Sequence, residues 1–338
     1  MTASAWVLPI AVCAAAAVLT PAVRAYALRR GLVDRPGPRR SHDRPVPRGG
    51  GLAIALVVAG AVAWLRPAAE LWILLATSLA VAALGWREDH SPLPVRLRLA
   101  IEFALAVLVV VVLGPVATID VAGRPVGPLW LWSPLAVVAV VWLTNLFNFM
   151  DGSDGLAAGQ AFISAALFAA VFTLAGERGH ANYAALIASA TLGFLFWNRP
   201  RASVFLGDTG SLMLGWCMGL LALVGVVSGA ASPWLAFIIV SPFVVDATLT
   251  LARRVMRGER WYTPHRDHAY QRLIRAGWSH RRVLMLWIVV NLLLVVPAAA
   301  LVLDRPDFDV AVAGIVALVL TGGWYFVHSV VAKERMTR

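Results

Sequence analysis

The chain alternates between long apolar runs and short polar joins. The apolar runs cover roughly residues 5–27, 51–66, 70–86, 99–115, 130–148, 158–176, 183–197, 209–228, 233–252, 283–302 and 309–331. A helix that crosses a bilayer needs about 20 mostly apolar residues. The pattern therefore predicts an all-α, polytopic membrane protein of about eleven transmembrane helices. The shorter runs suit little tilt or a locally thinned bilayer. The joins leave no room for a separate soluble domain, so residues 1–338 read as a single integral-membrane domain. The first run lacks a basic flank and ten more follow it, so it reads as a retained span rather than a signal peptide.

Composition agrees with this picture. Hydrophobic residues make up 60% of the chain and charged residues 14%, against about 25% charged in a soluble domain. Mean hydropathy is +0.77. Cys13 and Cys217 both lie in apolar runs and suggest neither a disulfide framework nor a zinc site. The net charge of +11 is distributed by topology, which excludes a nucleic-acid partner as its explanation. Of 29 Lys and Arg residues, only Arg66, Arg124, Arg178 and Arg305 fall in one alternate set of joins. Cytosolic loops collect Lys and Arg. That rule puts the N-terminus outside and the C-terminal tail in the cytosol, which requires an odd number of spans.

The basic set of joins also carries the polar chemistry. Ionisable groups at a membrane are costly and are candidates for function. The first join, Asp34 to Gly51, is rich in Pro, Gly and Arg, which forbids a helix over most of it. Its glycine run Gly49-Gly50-Gly51 opens the next helix and predicts backbone N–H groups free for an anion; headgroup anchoring by the arginines is the alternative. The second join begins Gly85-Trp86-Arg87-Glu88-Asp89-His90, with adjacent carboxylates suited to a divalent cation or to proton abstraction.

The third join is the most informative: Asn145-Leu146-Phe147-Asn148-Phe149-Met150-Asp151-Gly152-Ser153-Asp154-Gly155. Asn145, Asn148 and Asp151 recur every third residue, so a helix would place them in one strip. Oxygen ligands followed by a glycine turn fit a Mg²⁺ or Ca²⁺ site. The later ligand positions of an EF-hand are missing, and that reading is rejected. The fourth join, Asn198 to Ser211, holds Phe205-Leu206-Gly207-Asp208-Thr209, where Asp208 can also serve as a helix cap. The fifth, Arg253 to Arg282, contains His265-Arg266-Asp267-His268, suited to a diphosphate or to acid–base chemistry. Asp246 lies about two turns inside the ninth run, above Arg253 and Arg254, where an ion pair with either is one reading.

Taken together and in order, these five segments resemble the polyprenyl-phosphate N-acetylhexosamine-1-phosphate transferases, glycosyl transferase family 4. The likeness covers almost the whole chain. The segments Asn145 to Ala157 and Phe205 to Ser211 carry it most specifically, and the first and fifth joins look most like the O-antigen branch. The resemblance implies transfer of N-acetylhexosamine-1-phosphate from a UDP-sugar such as UDP-GlcNAc to undecaprenyl or another polyprenyl phosphate, with release of UMP. It implies Mg²⁺, with Mn²⁺ as a substitute, a bacterial inner (plasma) membrane with the site facing the cytosol, and a homodimer.

Residue by residue, the resemblance implies that Asp208 and Asp151 hold the metal. Glu88, Asp89, Asp151 and His268 would be catalytic. Arg40, His42, Asn145, Asn148, Gly152, Asp154, Asn198, Phe205, His265 and Arg266 would bind substrate, Phe205 by stacking on uracil. Glu88 stands where the family pattern has Asp, which favours direct attack by the acceptor over a covalent phospho-enzyme. A transporter or lipid flippase, which would place its polar groups near the midplane in broken helices, and an inactive assembly scaffold are the readings from other classes.

Overall fold

The computed structural model of the protein describes residues 6–35, 44–114, 116, 119–121, 124–259 and 265–331. Each apolar run that lies within them is helical. The long helices are α1 (Val7–Arg29), α2 (Gly51–Leu65), α3 (Ala69–His90), α4 (Val95–Leu113), α5 (Leu129–Met150), α6 (Leu156–Leu174), α7 (Arg178–Asn198), α8 (Gly207–Val227) and α9 (Pro233–Met256). A short α10 (Ala269–Arg275) precedes α11 (His280–Val290), α12 (Val296–Asp304) and α13 (Asp309–Phe326).

Eight segments among the described residues are long and apolar enough to cross a membrane. The chain is thus a polytopic membrane protein. The expected count of about eleven exceeds eight for physical reasons. α2 has only 15 residues, α4 carries Arg96, Arg98 and Glu102, and α7 is diluted by polar residues along its first turns. α11 and α12 form one span, joined by a π-helical turn at Asn291–Val295. There Asn291 and Gln160 of α6 hydrogen-bond each other through both amide groups, which satisfies polar atoms that lipid could not. The all-α expectation is amended by two small antiparallel hairpins. β1 (Val33–Asp34) pairs with β2 (Val46–Pro47), and β3 (Ile119–Val121) with β4 (Arg124–Val126).

α8 is the axis of the bundle: 83% of its apolar window is buried, against 17% for the span ending at Ser329 and 22% for α1. It packs against α3 and α5 and, at its N-terminus, against α2. That last contact is backbone on backbone, because a Cβ on Gly51 would overlap the backbone of Gly210. Small residues allow this closeness, and close packing is what holds helices together where lipid offers no hydrophobic driving force. The joins before α2, α4, α6, α8 and α10 all gather at the end of the bundle where α8 begins.

Candidate active site

The site is organised around the first turn of α8. Asp89, at the end of α3, is almost fully buried and accepts three hydrogen bonds there. They come from the Asp208 N–H (3.1 Å), the Thr209 N–H (3.0 Å) and the Thr209 hydroxyl (2.6 Å). A carboxylate there satisfies orphan amides of the helix and meets its positive end. Gly207 makes room for it, with φ at +71° and the Asp89 carboxylate where a Cβ would stand. Arg48 ties the same residue from the other side, donating to the Asp89 carbonyl at 2.6 Å and pairing with its carboxylate at 3.7 Å. Asp89 therefore fixes the position of Asp208.

The glycine run before α2 does not offer the free amides expected of it. Gly50 N–H donates to Phe205 O and Gly51 N–H to Leu206 O, both at 2.9 Å, and Phe205 N–H donates to Pro47 O. These donors are consumed in stitching the α7–α8 loop to the start of α2. Arg40 and His42, in the same join, lie outside the described residues.

Asp208 points back across the bundle, where Asn148 of α5 donates to it at 2.5 Å and to Ser211 at 3.0 Å. Asp151 caps the end of α5 and makes no side-chain hydrogen bond or ion pair among the described residues. Removal from water, then the neighbouring carboxylates of Asp208, Asp89 and Asp154, hold its carboxyl well above the ordinary range. Four carboxylates thus share one small region. Among the described residues no three acidic, His or Cys side chains meet at a single metal-ligand point. Two mutually repelling carboxylates, Asp151 and Asp208, do fit Mg²⁺, which takes one or two carboxylates and completes its shell with water and phosphate oxygens.

The remaining residues of the α5–α6 and α7–α8 loops brace one another. Asn198 is buried, and both ends of its amide are occupied by the Gly155 N–H and the Val204 carbonyl. Asn198 thereby braces the two loops against each other. Asp154 accepts from the Ala202 N–H at 3.0 Å and lies 3.6 Å from His280. His280 also faces Ser153 and receives the Asp154 N–H through its Nδ1. Gly152 admits Tyr270, whose hydroxyl would collide with a Cβ there and instead donates to the Phe149 carbonyl at 3.1 Å. Phe205 is half-buried beside these groups.

On the opposite side stands the loop before α10. Asp246 does not pair with Arg253 or Arg254. Its Oδ1 accepts from the Ala269 N–H (2.9 Å) and the Thr250 hydroxyl (3.1 Å), and lies 3.7 Å from His268 Nδ1. His268 is almost fully buried, and among the described residues its Nε2 has no hydrogen-bond partner. Asp267 instead gathers the cations: Arg254 at 2.6 Å, Arg272 at 3.5 Å and Arg275 at 3.9 Å. Burial pushes the Asp267 carboxyl up, but the Arg254 hydrogen bond and the nearby positive groups outweigh it and hold it below the ordinary range. Burial, with His268 and Arg254 alongside, pulls the His265 imidazole down to about 4. Arg266 lies between the two histidines in the chain and is half-buried.

A cleft of about 510 Å³ joins these parts. Asn145, Asn148, His265, His268, Gln271 and Arg98 line its polar end, and Leu99, Phe103, Val138 and Trp142 its apolar wall. Glu88 turns toward the start of α4 and away from Asp89. It accepts from the Leu93 N–H at 2.8 Å and pairs with Arg98 at 3.9 Å. The adjacent acids are therefore not a pair. Sequence reasoning missed Arg98, Arg48, His280 and Glu102; the visible signal for Glu102 was a lone carboxylate inside an apolar run.

A helical bundle with buried, convergent acids and histidines at one end defines a polytopic membrane enzyme. Residues 71–226 match the model of the family described as glycosyl transferase family 4. A probable undecaprenyl-phosphate N-acetylglucosaminyl 1-phosphate transferase of Bacillus subtilis is 31% identical, with 80% of this chain and 78% of the relative aligned. A decaprenyl-phosphate N-acetylglucosaminephosphotransferase of Mycolicibacterium smegmatis is 31% identical over 88% and 83%. The undecaprenyl-phosphate alpha-N-acetylglucosaminyl 1-phosphate transferase of Escherichia coli K12 is 27% identical over 78% and 74%. The chain belongs to glycosyl transferase family 4.

Proposed function

We propose that this enzyme transfers N-acetylhexosamine-1-phosphate from a UDP-sugar, UDP-GlcNAc or a close relative of it, to undecaprenyl or another polyprenyl phosphate. UMP leaves and a polyprenyl-diphospho-sugar forms, at the cytosolic face of a bacterial plasma membrane. The observation that carries this reading is the cleft. Its apolar wall lies on the membrane-facing sides of α4 and α5, and its polar end opens beside Asn148, His268 and the acidic group. The relatives named above are transferases of this kind.

The reaction exchanges one phosphoanhydride for another. An acceptor oxygen attacks the sugar-bearing phosphorus, the bridge to UMP breaks, and the electron pair leaves with UMP. A phosphate monoester has its second pKa near 6, so at neutral pH the acceptor is already a dianion and needs no general base. This matters because Asp89 has both oxygens engaged by α8 and Glu88 is held by Leu93 and Arg98. Neither is presented as a nucleophile, which supports direct displacement. Catalysis then rests on positioning and charge neutralisation. Asp151 and Asp208 would hold Mg²⁺, or Mn²⁺ in its place, which neutralises diphosphate charge when bound. His268, which lines the cleft, would meet the diphosphate, with His265 and Arg266 beside it. Asp154 and Phe205 stand on the nucleotide side.

The test is UMP release by purified protein supplied with undecaprenyl phosphate, Mg²⁺ and a panel of UDP-N-acetylhexosamines. Release that depends on both the lipid and the cation is expected. No release with any donor overturns the reading.

A further inference from the structure

Glu102 is fully buried two turns inside α4, a carboxylate in an apolar run for which the mechanism above has no use. Its Oε2 accepts from the Asn145 amide at 2.5 Å, and its Oε1 faces Arg98 Nε at 3.6 Å. Arg98 also donates to Asn145 Oδ1 at 3.3 Å and faces Glu88 at 3.9 Å. The guanidinium is thus gripped on three sides by two carboxylates and an amide. Among the described residues only one of these contacts is a hydrogen bond from Arg98, through one terminal nitrogen; its buried Nε faces Glu102 without bonding. Arginine has five N–H donors in a planar fork matched to phosphate oxygens, so Arg98 keeps unspent donors at the rim of the cleft.

From these contacts we infer that Glu102 is a positioning residue that aims Arg98 at the phosphate of the lipid acceptor. This rests on the function proposed above. Arg98 stands one turn into α4, on the helix that supplies Leu99 and Phe103 to the apolar wall. A prenyl chain lying along that wall would bring its phosphate to Arg98. The nucleotide-side loop, with Asp154, Asn198 and Phe205, is braced elsewhere and makes no contact with Arg98. Asn145 takes part on both sides: its amide nitrogen binds Glu102 while its oxygen binds Arg98, so their relative geometry is set by one rigid group.

The experiment measures KM separately for polyprenyl phosphate and for the UDP-sugar, in full-length protein reconstituted in nanodiscs. R98A is expected to raise the acceptor KM about ten- to a hundredfold, the scale of a charge-assisted phosphate contact, with the donor KM within about twofold. E102Q keeps the Asn145 bond but removes the charge facing Arg98. It should raise the acceptor KM about tenfold, and E102D should recover part of that loss. A purely structural role for Glu102 predicts instead a fall in thermal midpoint and kcat, with both KM values unmoved and no recovery in E102D. Should E102Q fail to fold, R98A and R98K decide the matter. An unchanged acceptor KM in R98A, or an equal rise in the donor KM, overturns the inference. Inactivity of the wild-type enzyme with every donor strikes the proposed function instead.

Discussion

The contact between Gly51 and Gly210 offers a test of how the site is held. In G51A the new methyl group would overlap the Gly210 backbone and stand 3.1 Å from the Thr209 carbonyl carbon. Ordinary carbon–carbon contact is about 3.5–4.0 Å, so the ends of α2 and α8 must part by about 1 Å. The obstacle is backbone, which cannot swing aside as a side chain could. Overpacking of this sort costs about 1–3 kcal/mol. The first turn of α8 carries Asp208 and Thr209, so the same displacement moves Asp208 off Asn148 and Asp89. A misplacement of about 1 Å at a reacting centre costs on the order of 100-fold in rate. The control is G60A on the same helix, where a Cβ meets nothing within 4 Å. It should stabilise slightly, since Gly to Ala in a helix interior is worth about 1 kcal/mol. Thermal unfolding in detergent and UMP release, measured on both variants, give the comparison. If G51A matches G60A in midpoint and rate, the α2–α8 contact does not position Asp208.

Two further outcomes follow from the charges. D151N removes one of four crowded carboxylates, so it should raise the metal-free thermal midpoint while abolishing activity. Mg²⁺ at 100 times its Kd should stabilise the wild type by about 2.7 kcal/mol and leave D151N unmoved in a thermal-shift titration. His265 is held at about 4 in the folded state against an ordinary 6.5, so below pH 6.5 the unfolded chain binds more protons than the folded one. Its share of stability is present above pH 6.5 and is lost as pH falls toward 4. Thermal midpoints of H265Q across that window should decline less than those of the wild type.

The spans were legible because lipid leaves hydropathy little room for error, and the five polar joins could be ranked because ionisable residues stand out against apolar ones. What the joins do to each other was less visible. Glu88 and Asp89 are neighbours in sequence, but a helix turns about 100° per residue, so one faces α4 and the other α8. Gly50 and Gly51 have free amides in any single-segment view, and only the folded α7–α8 loop supplies their acceptors. Asn198 sits in a chemically suggestive place, and only the fold shows that its amide also bridges Gly155 and Val204. Glu102 was hidden by its surroundings, since one carboxylate barely dents a hydropathy window. Asp246 was noticed for the right reason but matched with the wrong partners, because Ala269, which bonds it, lies 23 residues further on.

The stitching of the α7–α8 loop has a thermodynamic side. Between Arg199 and Leu206 its backbone is held by Arg24, Arg44, Pro47, Gly50, Gly51 and Asp154, drawn from three separate parts of the chain. Fixing one residue costs about 1–2 kcal/mol of conformational entropy. That cost was met when the bundle assembled. On the function proposed above, a nucleotide settling against Asp154 and Phe205 would not bear it again: the soluble partner would meet a wall already finished, while the lipid partner would slide along one that stays open to the bilayer.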